Sequence, residues 1–231
     1  SLGTANRGLY VNQLHIELGA GLNIGALRAA WEGALIRHPI LRTAFIADLI
    51  EQPHQIVLQQ VELPWSELDW RNVAGLEMNA ALENFLAEDL QKGFPTDHAP
   101  LLRLTLIHRP EGYSLIWTRH HLLLDGWCTA SLLQEILSDY SDRIRANCRY
   151  VHEYVRRQPY RNFIAWLDKR ESGADENFWR KHLSGLEGPS LLQSQAPKPA
   201  VMGHGHDRMQ AALPVASSQA LDNLSRQLGL T

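Results

Sequence analysis

The sequence predicts an α+β sandwich with a mainly antiparallel or mixed sheet. Three observations carry this expectation: a strand followed at once by an amphipathic helix, a second amphipathic helix set among short strands, and an apolar hairpin that feeds a third long helix with more helices behind it.

Tyr10 to Leu18 alternates Leu14, Ile16 and Leu18 against Gln13, His15 and Glu17, which predicts a strand with one wet face on which His15 is solvated. Asn23 is placed to cap a helix through Arg37, because Ile24, Leu27, Trp31, Ala34 and Leu35 share one stripe and Pro39 forbids continuation. Leu41 to Ile46 and Pro53 to Leu58 read as short strands, whereas Leu63 to Arg71, with Trp65 and Trp70, reads as irregular. Met78, Ala81, Leu82, Phe85, Leu86 and Leu90 predict a helix that stops near Gly93. Leu101 to His108 is the next strand, and Arg109 to Gly112 is a hairpin turn.

In the following strand, Tyr113 to Arg119, Tyr113, Leu115 and Trp117 alternate with Ser114, Ile116 and Thr118. Trp127 to Ile144 then carries Leu132, Leu133, Ile136, Leu137 and Tyr140 at helical spacing. Arg145 to Gln158 reads as a loop. The run of Arg143, Arg145, Arg149, Arg156 and Arg157 is either a solvated face or a docking patch for an acidic protein partner. Two helices, Pro159 to Arg170 and Ala174 to Leu186, carry Phe163, Trp166, Phe178 and Trp179, which are assigned to the core. Residues 188–207 have linker composition, with three prolines. His204, His206 and Asp207 lie there but do not make a metal site. Arg208 to Leu213 reads as a strand, and Ser217 or Ser218 as the cap of a last helix through Gly229.

Composition narrows the function classes. The 231 residues are 45% hydrophobic and 20% charged, ordinary for a globular protein. A net charge of -3 argues against a nucleic-acid surface. Two cysteines, Cys128 and Cys148, make no disulfide framework and point to a reducing compartment, so a cytoplasmic location is expected. No run approaches the ~18 apolar residues of a membrane span, and no signal-peptide pattern opens the chain.

The chemistry is concentrated in Arg119-His120-His121-Leu122-Leu123-Leu124-Asp125-Gly126-Trp127, a junction between strand and helix that reads as an acyl-transfer site. An imidazole both takes and returns a proton near neutral pH, which suits it to an amine or hydroxyl attacking an ester or thioester. Asp125, followed by a glycine that permits a sharp turn, can hold loop and ring in place. Taken singly, a histidine beside an apolar strand is usually a satisfied core or surface residue. A shared metal is disfavoured, because adjacent residues of an extended segment point to opposite faces.

The string His120 to Trp127 resembles the HHxxxDG signature of nonribosomal peptide synthetase condensation domains, members of the chloramphenicol acetyltransferase-like superfamily. Arg37-His38-Pro39-Ile40-Leu41-Arg42-Thr43-Ala44-Phe45 is similar to that family's RHxxLRTxF motif. Pro159 to Leu167 resembles its YxDYxxW motif, with Asn162 in place of the aspartate. The resemblance implies the N-terminal subdomain of a two-layer sandwich domain, spanning residues 1–231, with a catalytic channel against an absent C-terminal half. It implies peptide-bond formation in which an acceptor aminoacyl amine attacks a donor acyl or peptidyl thioester.

Within that resemblance His121 carries the chemistry as base or positioning residue, beside His120. Asp125 pairs with Arg42, Gly126 leaves room and offers a backbone N–H, and Trp127 supports the site. No cofactor or metal is bound by the chain itself; phosphopantetheine arrives on donor and acceptor carrier proteins. An adenylation domain is the expected neighbour, with no nucleic-acid or membrane partner. The chain opens past a family motif with a Ser-x-x-Gln core and stops where a second half would begin, so a half-domain inactive alone, with an exposed apolar face, is expected. Epimerisation domains usually continue differently after the glycine, and heterocyclisation domains replace the histidines by aspartate. The rivals are a stand-alone acyltransferase using coenzyme A donors and a noncatalytic module that recruits a partner.

Overall fold

The computed structural model describes residues 10–47, 53–73, 75–146, 158–170, 172–186, 188 and 211–230. They form β1 (Val11–Gly19), α1 (Ile24–Arg37), a 3-10 turn (Pro39–Arg42), β2 (Thr43–Ile46), β3 (His54–Val57), β4 (Trp65–Asp69), α2 (Leu76–Lys92), β5 (Leu102–Arg109), β6 (Gly112–His120), α3 (Gly126–Arg145), α4 (Tyr160–Leu167), α5 (Ser172–His182) and α6 (Val215–Leu228). The chain divides into two units, residues 1–169 and 170–231.

In the first unit a four-stranded sheet runs in the order β1-β6-β5-β4, antiparallel except for the parallel pair β4–β5, and β2 and β3 form a separate antiparallel ribbon. The register sets Leu104 opposite Trp117 and Leu106 opposite Leu115, so these side chains share one face. They pack there with Leu27, Trp31 and Leu35 of α1 and with Leu132 and Ile136 of α3. Trp31 and Trp117 meet edge-on at 4.9 Å, both fully buried. Burying an aromatic of this size is worth about 1.5–3 kcal/mol, and the edge contact adds about 0.5–1.5 kcal/mol.

The opposite face is buried as well: Thr105, Ile107, Ser114, Ile116 and Thr118 are all inaccessible, and α2 lies against this side through Asp89. The Asp89 carboxylate accepts from Thr118 Oγ1 at 2.5 Å, Gln13 Nε2 at 2.9 Å and Arg103 Nε at 2.6 Å. The sheet therefore has helices on both faces, in keeping with the α+β fold expected. The reason lies in the middles of β5 and β6, Leu104 to Ile107 and Ser114 to Thr118, which are apolar or neutral on both faces and need cover on both sides.

Several elements differ from expectation in extent. Pro39 starts a 3-10 turn, so β2 begins at Thr43 and not at Leu41. The irregular stretch after Leu63 contains β4, a short edge strand whose polar Ser66, Glu67 and Asp69 conceal its pairing. Ser217 and Ser218 do not cap α6; Pro214 occupies that position, and Gly229 closes the helix in the left-handed region. Phe163, Trp166, Phe178 and Trp179 are exposed and not core, because α4 and α5 present their apolar stripes outward. Of the expected loop Arg145 to Gln158 only the ends are described. The linker 188–207, apart from Gly188, and most of the Arg208 to Leu213 strand lie outside the described residues.

Candidate active site

β6 runs straight into the histidine pair. Its antiparallel partner β1 begins level with its end, Val11 facing His120, and the main chain of His121 continues the contact by donating its N–H to the Tyr10 carbonyl at 2.6 Å. His120 is buried. Its Nδ1 accepts from the Leu122 N–H at 3.1 Å and its carbonyl accepts from Leu123 N at 3.1 Å, so it knots the turn that follows. Desolvation, with His121 adding a smaller effect, holds its pKa below the ordinary histidine value, which keeps Nδ1 free to accept.

His121 is exposed, and its Nδ1 lies 3.2 Å from the Asn12 side-chain nitrogen. Asp125 caps α3: its Oδ1 accepts from Cys128 N at 2.7 Å and its carbonyl accepts from both Thr129 N at 3.0 Å and Thr129 Oγ1 at 2.6 Å. The backbone N–H of Cys128 is the main reason the Asp125 carboxyl titrates below the usual carboxylate range. The same carboxylate pushes the Cys128 thiol up, so this exposed cysteine is not an activated nucleophile. A Cβ added at Gly126 would meet nothing within 4 Å, and Trp127 is 87% exposed. The loop thus presents an open surface, with His121 beside the positive end of a 20-residue helix.

Arg42 is not part of this loop. Its guanidinium donates to the carbonyls of Leu35 at 2.8 Å, Ile36 at 3.4 Å, Gln59 at 3.1 Å and Leu58. The expected Arg42–Asp125 pair is absent because each residue is engaged locally. The last carbonyls of α1 need donors, and a five-donor fork satisfies them, while Asp125 closes the start of α3.

The motif's other arginine makes the link between elements. Arg37 donates to Glu135 at 2.6 Å and to Asp139 at 2.9 Å, His38 Nε2 lies 3.0 Å from Glu135, and Arg143 donates to Asp139 at 2.9 Å. This network fastens α1 to α3, the helix that leaves the active loop. The signal was available in Glu135, Asp139 and Arg143, charges at four-residue spacing on one face of a helix.

Arg119 is a second residue whose role the spacing did not reveal. Only 7% exposed, it stacks over the Trp117 ring at 4.3 Å and donates Nη2 to Thr129 Oγ1 at 3.0 Å, while Nε and Nη1 are buried without a partner among the described residues. Burial pulls its pKa below the usual guanidinium range. Among the described residues no three His, Cys, Asp or Glu side chains gather as a metal site.

The helix-covered mixed sheet and the histidine loop between β6 and α3 define a condensation-like α+β domain. The chain belongs to the condensation domain family, whose model matches residues 4–231. It is 32% identical over 225 residues to chondramide synthase of Chondromyces crocatus, covering 96% of this chain and 6% of that one. It is 32% identical over 186 residues to bacitracin synthase 1 of Bacillus licheniformis, covering 80% of this chain and 4% of that one. Among solved structures, the starter condensation domain of rhizomide synthetase is similar at 19% identity with a TM-score of 0.65, over 80% of this chain and 46% of that one. The epimerization domain from the third module of tyrocidine synthetase B is similar at 20% identity with a TM-score of 0.67, over 80% and 42%. At these identities the structural likeness shows the fold alone.

Proposed function

We propose that this chain takes part in amide-bond formation in nonribosomal peptide synthesis. The acceptor's amine nitrogen attacks the carbonyl carbon of a donor acyl or peptidyl thioester. The C–S bond breaks, and the amine's proton ends on the released thiol. Both substrates ride on the phosphopantetheine arms of carrier proteins, with an adenylation domain supplying the activated acceptor. The observation that carries this reading is His121, exposed at the strand-to-helix junction with its main chain held by Tyr10, just before β1, and its ring beside Asn12 of β1. Family membership and relatives that are peptide synthases support it. The fold does not choose between condensation and epimerisation. Gly126-Trp127-Cys128 favours condensation, with Cys128 where serine is common.

A channel closed by a second wall would supply the orientation and water exclusion that the open loop lacks, since positioning both reactants is worth effective molarities of ~10⁵–10⁸ M. No described helix is long and apolar enough to cross a membrane. The test supplies the full-length natural protein with a donor thioester, either carrier-bound or on coenzyme A, and an acceptor-loaded carrier. Mass spectrometry then reads the acceptor arm. An amide-linked product from the carrier-bound donor is expected; product from the coenzyme A donor alone would support the stand-alone acyltransferase, and no product from either would remove the reading.

A further inference from the structure

We infer that Arg119 is a positioning residue: through Thr129 it ties the two ends of the histidine loop to each other and so fixes where His121 stands. The inference rests on the proposed reaction and deepens it, since it assigns a residue outside the histidine pair to holding the loop in its working shape.

Side chains alternate along β6, so Arg119 follows Leu115 and Trp117 onto the face covered by α1 and α3. Its guanidinium lies over the Trp117 ring at 4.3 Å, and from there Nη2 donates to Thr129 Oγ1 at 3.0 Å. Thr129 Oγ1 donates in turn to the Asp125 carbonyl at 2.6 Å, which also accepts from Thr129 N at 3.0 Å. A guanidinium offers donors only and a carbonyl acceptors only, so chemistry fixes the direction of both bonds: the hydroxyl accepts from Arg119 and donates to Asp125. The chain Arg119–Thr129–Asp125 starts one residue before the histidine pair and ends one residue before α3. Between these anchors lie His120 to Leu124. The Leu122 and Leu123 N–H groups hold this loop from within, on His120, and the Tyr10 carbonyl holds it from the start of β1. Arg119 adds the side-chain link from the end of β6 to the first turn of α3.

The link is held at a cost. Arg119 is nine-tenths buried, and among the described residues two of its nitrogens, Nε and Nη1, have no partner. Burying a cation and leaving its donors unmade both oppose folding, and the same desolvation lowers its pKa. Methionine would pack on Trp117 without either cost. What methionine lacks is a donor for Thr129, and a planar fork stacked on an indole presents that donor with little freedom to move. A group that opposes stability at the root of a reactive loop fits a site where geometry counts for more than stability.

The test uses the full-length natural protein. Arg119→Met and Thr129→Val should each lower kcat for amide formation by about 10²-fold, the effect of misplacing a reacting group by about 1 Å, with KM for both carrier-bound substrates unchanged. Because both act through one bond, the double variant should be no slower than the slower single one. Thr129→Ser, which keeps the hydroxyl, should restore the parental rate. Hydrogen exchange read by mass spectrometry needs no activity: the Leu122 and Leu123 amides should exchange faster in both single variants, while Leu132 to Tyr140 of α3 keeps its parental rate. If Thr129→Val loosens α3, Arg119→Met alone decides. Parental kcat in Arg119→Met, when the parent forms the amide, would overturn the inference. So would additive losses in the double variant, parental exchange at Leu122 and Leu123, or faster exchange throughout α3 in Arg119→Met, which would mark a merely structural role. An inactive parent would count against the proposed reaction and leave the exchange result to decide the role of Arg119.

Discussion

Arg37 Nη1 donates to Asp139 Oδ2 at 2.9 Å, joining the end of α1 to the middle of α3 across 102 residues of sequence. Asp139 is fully buried and also accepts from Arg143. Replacing Asp139 by Ala leaves two arginines facing a buried gap, and breaking such a pair destabilises by about 3–5 kcal/mol. Gly33→Ala should also destabilise, because its Cβ would stand 2.9 Å from Arg37 Nη1 and 3.2 Å from Asp139 Oδ2. Urea unfolding of both variants against parent is the check; parental midpoints would contradict the network's importance.

Arg42 and Asp125 belong to separate local structures, so their substitutions should add. Arg42→Ala removes donors from the carbonyls of Leu35, Ile36, Leu58 and Gln59, and Asp125→Ala removes a helix cap worth about 0.5–2 kcal/mol. A double-mutant cycle on unfolding free energy should give a coupling within about 0.5 kcal/mol of zero. A larger coupling would restore the pairing suggested by the family resemblance.

His120 gives stability a dependence on pH with a definite sign. Its folded-state pKa is depressed by burial, so the unfolded chain takes up the proton first as pH falls. Its contribution is whole above the unfolded histidine value of about 6.5 and is lost as pH falls from there through the folded value. His120→Asn, whose side-chain oxygen can still accept from Leu122 N, should flatten this part of the stability profile. Urea midpoints from pH 7.5 to 5 measure it, and an unchanged slope would exclude His120 as the source.

Arg119 should behave in the opposite way to Asp139. Among the described residues its buried Nε and Nη1 have no acceptor and its cation no acid partner, so Arg119→Met removes uncompensated polar groups while keeping a long stem on Trp117. We expect thermal stability equal to or above parent. A fall of several degrees in Tm would show that the guanidinium is net stabilising.

Much of this was legible in the sequence. The β6–α3 junction could be read because Leu115, Trp117, Leu132 and Ile136 follow two clean periods, and α1 because Asn23 and Pro39 mark its ends. The residues that tune the loop were hidden for a different reason. Asn12 reaches His121 through antiparallel register, and Arg37 reaches Asp139 through helix packing. The first relation leaves no trace in local periodicity, and of the second the sequence shows only Glu135, Asp139 and Arg143 at four-residue spacing, not their partner on α1. A motif gives residue types and not partners, and the free carbonyls at the end of α1 compete successfully for the donors of Arg42. Phe163, Trp166, Phe178 and Trp179 lie on apolar stripes, and a stripe marks a face suited to burial without saying what covers it.

The proposed role of His121 in amide formation is read out by the single-turnover rate of His121→Ala. The full-length natural protein and this variant, matched by circular dichroism and unfolding midpoint, would be mixed with donor-loaded and acceptor-loaded carrier proteins. Loss of a positioned acid–base or hydrogen-bonding group lowers such rates by about 10²–10⁴-fold, and a fall of this size with the fold intact is the result we expect. Transfer by His121→Ala at close to the parental rate would contradict the assignment.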